Sequence, residues 1–297
     1  MDKLVERESA TRNPLVAAPA LAVQFFLIPL AVVGVAILVY VGFRSLLEDD
    51  RSAQEYLTEI QQGGATRRWP AAYELSRLMA DPEVRKQGEL TPALVEAFEA
   101  AADDDPRVRR YLALAIGRLD PPLPAQAVTA LTSALGDADD ETRISVIWAL
   151  GSSGDATVIP PLTALYDSPD AGVRKMVVYA LGALPGETQV VTLQTALQDT
   201  APDVRWNAAV ALARHGHDEG IPVIREMLDR PFLEQTVTRD ASQYDDQDPV
   251  AEVLISGVRA AAALNDSQLK VLVEELSQQD RSMKVRQAAL EALRTMG

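Results

Sequence analysis

A chain of 297 residues with 47% hydrophobic content is long enough for one elongated domain or two compact ones, and is not a disordered polypeptide. Its formal charge of −15 disfavours a sequence-independent grip on nucleic acid, which needs a surplus of Lys and Arg on the binding face. There is no cysteine, which excludes disulfides, thiolate metal sites and a cysteine nucleophile but fits either side of a bacterial membrane.

Residues 1–18 are a short tail of mixed charge. Residues 19–43, PALAVQFFLIPLAVVGVAILVYVGF, contain no charge, and about 20 apolar residues suffice to span a bilayer core. The run is too long for a signal peptide, so it predicts an uncleaved single-pass anchor in the cell membrane, kinked at Pro29. Lys3, Arg7 and Arg12 precede it and Arg44 and Arg51 follow, which tilts the amino terminus to the cytoplasm and the main domain to the extracytoplasmic side. Residues 44–51 form a juxtamembrane linker, and residues 52–297 form one repetitive domain.

The repeat is plainest at DAGVRKMVVYALGALPG, residues 170–186. Val173, Val177, Ala180, Leu181 and Leu184 make one apolar stripe on a helix, here helix B. Similar stripes begin at Val108, Thr142, Val204 and Val285, and each has an arginine after its first member: Arg109, Arg143, Arg174, Arg205 and Arg286. The central intervals, 143−109 = 34, 174−143 = 31 and 205−174 = 31, lie in the range of helical solenoids. A second helix type, helix A, alternates with the first, as at Val190, Leu193 and Leu197. About seven antiparallel A–B pairs start near residues 52, 91, 124, 156, 187, 218 and 266. The sixth is interrupted at 231–248 by a polar, acidic insertion, and in its helix B Gly257 stands in the arginine position.

The Asp, Val-Arg, spaced alanines, Ala-Leu and Gly of these copies resemble HEAT repeats of the short, phycobilin-lyase-like type. The resemblance covers residues 52–297 and implies an all-α fold, a right-handed α-solenoid whose B helices line the concave side. It also implies that the arginines form a structural ladder with aspartates near the preceding turn. Asp103, Asp137, Asp199 and Asp280 each lie six residues before such an arginine, and Ser168 breaks the series.

Enzymatic readings of the family find little to build on. The two histidines, His215 and His217, read as solvated residues at a helix carboxyl end rather than metal ligands. Asp240, Asp245, Asp246 and Asp248 lack the spacing of a calcium loop. Residues 51–297 hold 24 Lys and Arg against 37 Asp and Glu, which weighs against a nucleic-acid groove. No catalytic residue, cofactor or metal is therefore assigned.

The strongest functional signal is on the opposite face of helix B. At about 100° per residue, Lys175 and Tyr179 point away from the stripe. The equivalent residues are Arg110 and Leu114, Ile144 and Trp148, Trp206 and Val210, and Trp69 and Tyr73. All three tryptophans thus fall in one outward column, the expected protein-binding face. The expectation is a membrane-anchored scaffold or adaptor that binds another membrane or envelope protein through its concave face. The alternative is a cofactor-handling enzyme of the bilin-lyase-like class.

Overall fold

The computed structural model describes residues 28–47, 51–87, 89–237 and 248–296. The chain divides into two units, Met1–Ser52 and Ala53–Gly297. In the first unit, helix α1 runs from Ile28 to Leu47. Residues 19–27 of the expected membrane span lie outside the described residues. Pro29 falls in the first turn of α1, where its missing N–H breaks no hydrogen bond of the described helix. Leu30, Val32, Val35, Leu38 and Tyr40 are all more than half exposed. The described side chains of α1 lie within residues 30–42, and among the described residues no helix is long and apolar enough to cross a membrane.

The second unit is an α-solenoid. It begins with α2 (Ala53–Gln62), α3 (Ala65–Leu78) and a short α4 (Pro82–Arg85). Then come α5 (Leu90–Ala100), α6 (Pro106–Ile116), α7 (Ala125–Ser133), α8 (Asp140–Gly151), α9 (Ile159–Ala164) and α10 (Ala171–Ala183). It continues through α11 (Val190–Ala196), α12 (Pro202–Arg214), α13 (Ile221–Met227), α14 (Arg230–Thr236) and α15 (Pro249–Leu264), and closes with α16 (Ser267–Gln279) and α17 (Met283–Leu293). Helices α3, α6, α8, α10, α12, α15 and α17 form the B layer. Four of them start on an aspartate, Asp105, Asp139, Asp170 or Asp248, whose carboxylate accepts a backbone N–H of the first turn.

Each stripe is buried as its spacing predicts: Val173, Val177, Ala180, Leu181 and Leu184 are at most 1% exposed. Successive B helices stack directly on one another, whereas successive A helices meet far less, which makes B the tighter layer. Small residues permit the close approach. A Cβ added to Gly117 would lie 2.7 Å from Ala149 Cα, and one on Gly151 would lie 2.7 Å from Ala180 Cα. One on Gly182 would overlap Ala211 Cβ. Each glycine sits near the end of one B helix, and each alanine is the third stripe member of the next.

Two of the ladder arginines bridge repeats, in a direction opposite to the expected one. Arg109 pairs with Asp137 of the following repeat at 2.6 Å, and Arg174 grips Asp199 of the following repeat through Nε and Nη2, both at 2.9 Å. Arg68 of the first pair does the same to Asp104 at 2.6 Å. Six residues back, the partner is a backbone carbonyl instead. Arg143 donates to Asp137 O at 3.1 Å, Arg174 to Ser168 O at 2.9 Å and Arg205 to Asp199 O at 2.9 Å, while Arg286 reaches Asp280 O. Ser168 therefore leaves this second series unbroken, because any residue supplies a carbonyl. Those carbonyls follow the end of helix A, where the helix itself has no donor left for them. Asp103 takes no part in a described pair with Arg109.

At Asp199 the ladder gains a third member, since Tyr166 Oη donates to the carboxylate at 3.0 Å. The Arg174 hydrogen bonds lead in holding Asp199 down to about 2, and burial, with the Asp199 contact, pushes the Tyr166 hydroxyl up to about 12. A carboxylate held below its unfolded value of 3.8 stabilises the fold above that pH. The contribution, about 2 kcal/mol, is lost as pH falls from about 4 to about 2. Urea midpoints should accordingly fall more steeply over this window for the native protein than for Asp199→Asn, and parallel curves would refute the assignment.

The insertion and the sixth pair depart most from expectation. The first part of 231–248 is not a loop. Asp229 caps α14 through Phe232 N, and Leu233 is fully buried. Residues 238–247 lie outside the described residues. In α15 the buried stripe is Val250, Leu254, Gly257, Val258 and Ala261. Gly257 is thus a small stripe member, its place for a Cβ taken by Met227 Cβ at 2.9 Å. The arginine position is occupied by Ala251, and Arg259 is exposed. The missing guanidinium is supplied by Arg230 of α14, which holds Asp280 of the last repeat at 2.7 and 2.8 Å.

Candidate protein-binding face

The outward column of helix B divides into two clusters. Near the amino-terminal end, Trp69 is half-buried beneath the Arg107 guanidinium, 4.4 Å from the ring centre. Tyr73 is 39% exposed and meets Tyr111 edge to face at 5.2 Å. Arg110 is not free for a ligand: it pairs at 3.1 Å with Asp139, the cap of the next B helix. Trp148 is half-buried and lies over Gly117, so part of its surface serves the stacking of α6 on α8.

The second cluster is concave. Helices α10, α12 and α15 enclose a groove of about 480 Å³, with a floor of Met176, Tyr179, Trp206, Val210 and Val253. Three of the expected residues, Lys175, Tyr179 and Trp206, come together here. The groove lies where the small-residue contacts change partner. In the three preceding B–B junctions a glycine meets an alanine, but at α12 the equivalent residue is Ala213 and Gly257 turns to α13 instead.

Exposure in the column differs from the expected row of exposed tryptophans. Tyr179 is 41% exposed, whereas Trp206 is only 8% exposed and its Nε1 has no hydrogen-bond partner among the described residues. An angular wheel gives a side chain's direction but not the width of the space it enters. Lys175 pairs with Asp203 of α12 at 3.2 Å, as Arg110 does with Asp139, so the concave cations are largely neutralised from the next repeat. Sequence reasoning missed Met176, Val253 and Glu252. The first flanks the column, and the other two needed the correct register of α15.

The histidines are partly exposed to solvent. His217 is half-buried with Nε2 3.0 Å from Glu187, and His215 is half-buried with Nε2 unpartnered. Among the described residues no three His, Cys, Asp or Glu side chains converge as a metal site. The acidic residues Asp240, Asp245 and Asp246 lie outside the described residues, while Asp248 caps α15 and accepts from Arg230 at 3.4 Å.

The model of the HEAT repeats family matches residues 91–182 and 164–244, which together are residues 91–244 and just over half of the chain. Among solved structures, the complex of CpcE and CpcF of phycocyanin lyase from Nostoc sp. PCC7120 aligns over 84% of this chain and 95% of its own, with 19% identity and a TM-score of 0.54. A designed armadillo repeat protein in complex with the peptide (KR)4 aligns over 83% and 100%, with 17% identity and a TM-score of 0.45. No curated protein sequence matches.

Proposed function

Because the chain belongs to the HEAT-repeat family, we propose that its solenoid is a non-catalytic scaffold that holds a protein partner on the B-helix face, anchored in the cell membrane by residues 19–43. The groove across α10, α12 and α15 carries this reading. It joins large apolar and aromatic side chains from three successive repeats into one concavity, and such surfaces mark binding sites more often than bare exposure does. A repeat array suits the role because each pair needs only its neighbours to fold, so the face opposite the stripe is free for recognition. Lys175→Ala combined with Tyr179→Ala should leave the helical circular dichroism signal in place and abolish co-purification of the partner. Undiminished recovery would overturn the face.

The anchor is supported by the charge-free sequence and by the exposed apolar side chains of α1, which in water would have no counterpart. Anchoring raises the local concentration of the groove for a partner in the same membrane. The partner in this reading is another membrane or envelope protein, and the solenoid lies on the extracytoplasmic side. The absence of native cysteine makes the topology directly readable. Gln61→Cys should react with an impermeant maleimide in intact cells, while Ser9→Cys should react only after lysis. The reverse pattern would invert the topology, and release of the protein by alkaline carbonate would refute the anchor.

A further inference from the structure

The groove is polar in a defined direction. At the amino-terminal ends of its helices stand Asp203 on α12 and Glu252 on α15, and at the carboxyl-terminal end of α12 stands Arg214. Between them the floor is apolar. We infer that the groove takes an extended protein segment with a basic residue and an acidic residue an even number of positions apart, about four to six, flanking aliphatic or aromatic anchors. This deepens, and rests on, the B-face reading above.

The hydrogen-bond inventory at the acidic end selects the cation. Asn207 Nδ2 is spent on Asp203 O at 2.7 Å, and Ser256 Oγ donates to Glu252 O at 3.0 Å. Lys175 is engaged with Asp203 Oδ2 at 3.2 Å. What remains open there is acceptor capacity: Asn207 Oδ1, the Ser256 oxygen and the Glu252 carboxylate. Glu252 is exposed and has no ion-pair partner among the described residues. A Lys or Arg side chain satisfies that set, whereas a carboxylate faces only acceptors.

At the other end the balance reverses. Arg214 is exposed and uses Nη1 on Gly182 O at 3.0 Å, which leaves a cation with further N–H groups and no carboxylate partner among the described residues. Eleven residues of helix separate Asp203 from Arg214, about 16 Å at about 1.5 Å per residue. An extended chain advances about 3.3 Å per residue, so about four to six residues bracket the span, and an even separation puts both charged side chains on the groove side. The apolar floor then lies under the middle positions, whose alternate side chains point down.

Three fluorescein-labelled, end-blocked peptides test the inference against the purified full-length chain by fluorescence polarisation: Lys-Ala-Leu-Ala-Leu-Ala-Glu, and its Lys/Lys and Glu/Glu counterparts. The mixed-charge peptide should bind about tenfold tighter than either counterpart, because each of those meets a like charge at one end. Glu252→Lys should move the preference to the Glu/Glu peptide by a similar factor, and Arg214→Glu should move it to the Lys/Lys peptide. Arg214→Gln, which keeps a donor for Gly182 O, should remove discrimination at that end alone and so guards against a folding defect in the reversal. Equal binding of the three peptides, or no binding of any to the native protein, would overturn the polarity. Retention or loss of the native partner by the Lys175 and Tyr179 variant reports separately on the face.

Discussion

Replacing Arg230 by Ala should destabilise the solenoid by about 3–5 kcal/mol, the range for removing one member of a buried ion pair. Asp280 is the reason. Its side chain is 1% exposed, and both carboxylate oxygens are held by Arg230, at 2.7 and 2.8 Å. Without the guanidinium an anion is left in a site closed to water. The backbone N–H of Ser282 continues to donate to it at 2.8 Å, which offsets only part of the cost. The effect is specific to this repeat because Ala251 stands where the other B helices carry their own arginine. Arg230→Ala with Asp280→Ala should recover much of the loss, since neither charge is then stranded. Chemical denaturation of the two single variants and the double variant measures the coupling. Additive losses would show that Arg230 acts only by packing α14, where Leu233 is fully buried.

How much of this was legible in the sequence depended on whether a feature has a residue-type signature. The buried stripe does, because only apolar residues tolerate that face, and Val108, Leu112, Ala115 and Ile116 are indeed fully buried. The ladder arginines were legible as a series, but the direction of their bonds was not. A carbonyl acceptor such as Ser168 O leaves no trace in residue identity, and a forward pair such as Arg174–Asp199 looks like a backward one when aspartates recur once per repeat. The register of α15 was ambiguous because Gly257 and the run Ala260 to Ala263 let several alignments place small residues on the stripe. The correct alignment rested on Val250 and Leu254, both buried. On the candidate face, Lys175, Tyr179 and Trp206 of the column line one groove. The depth of Trp206 and the contributions of Glu252 and Val253 follow from the spacing between α12 and α15, which no single helix encodes.

Gly182→Ala should destabilise the protein even though it improves helix propensity. At an open helical site the substitution is favourable by about 1 kcal/mol. Gly182 lies within α10, and the new methyl group would clash with Ala211 Cβ and lie 3.1 Å from Ala211 Cα on α12. Both helices are fixed by buried stripes, so relief requires the two to separate, which loosens the packing of Val177, Leu181, Ala208 and Leu212, all fully buried. Overpacking of this kind costs about 1–3 kcal/mol, enough to reverse the propensity gain. Valine adds two more methyl groups and should cost the upper end or beyond. Gly136 supplies the control, since nothing lies within 4 Å of the Cβ it would gain. The decisive measurement is rescue. If Ala211 is the obstacle, Ala211→Gly should restore stability in the Gly182→Ala background while destabilising the native protein, a coupling that only direct contact produces. Because the same contact sets the α10 to α12 spacing, the unrescued variant should also alter the groove that these helices share. Weakened binding of the mixed-charge peptide by Gly182→Ala, recovered by Ala211→Gly, would tie the stacking of the B layer to recognition on its face.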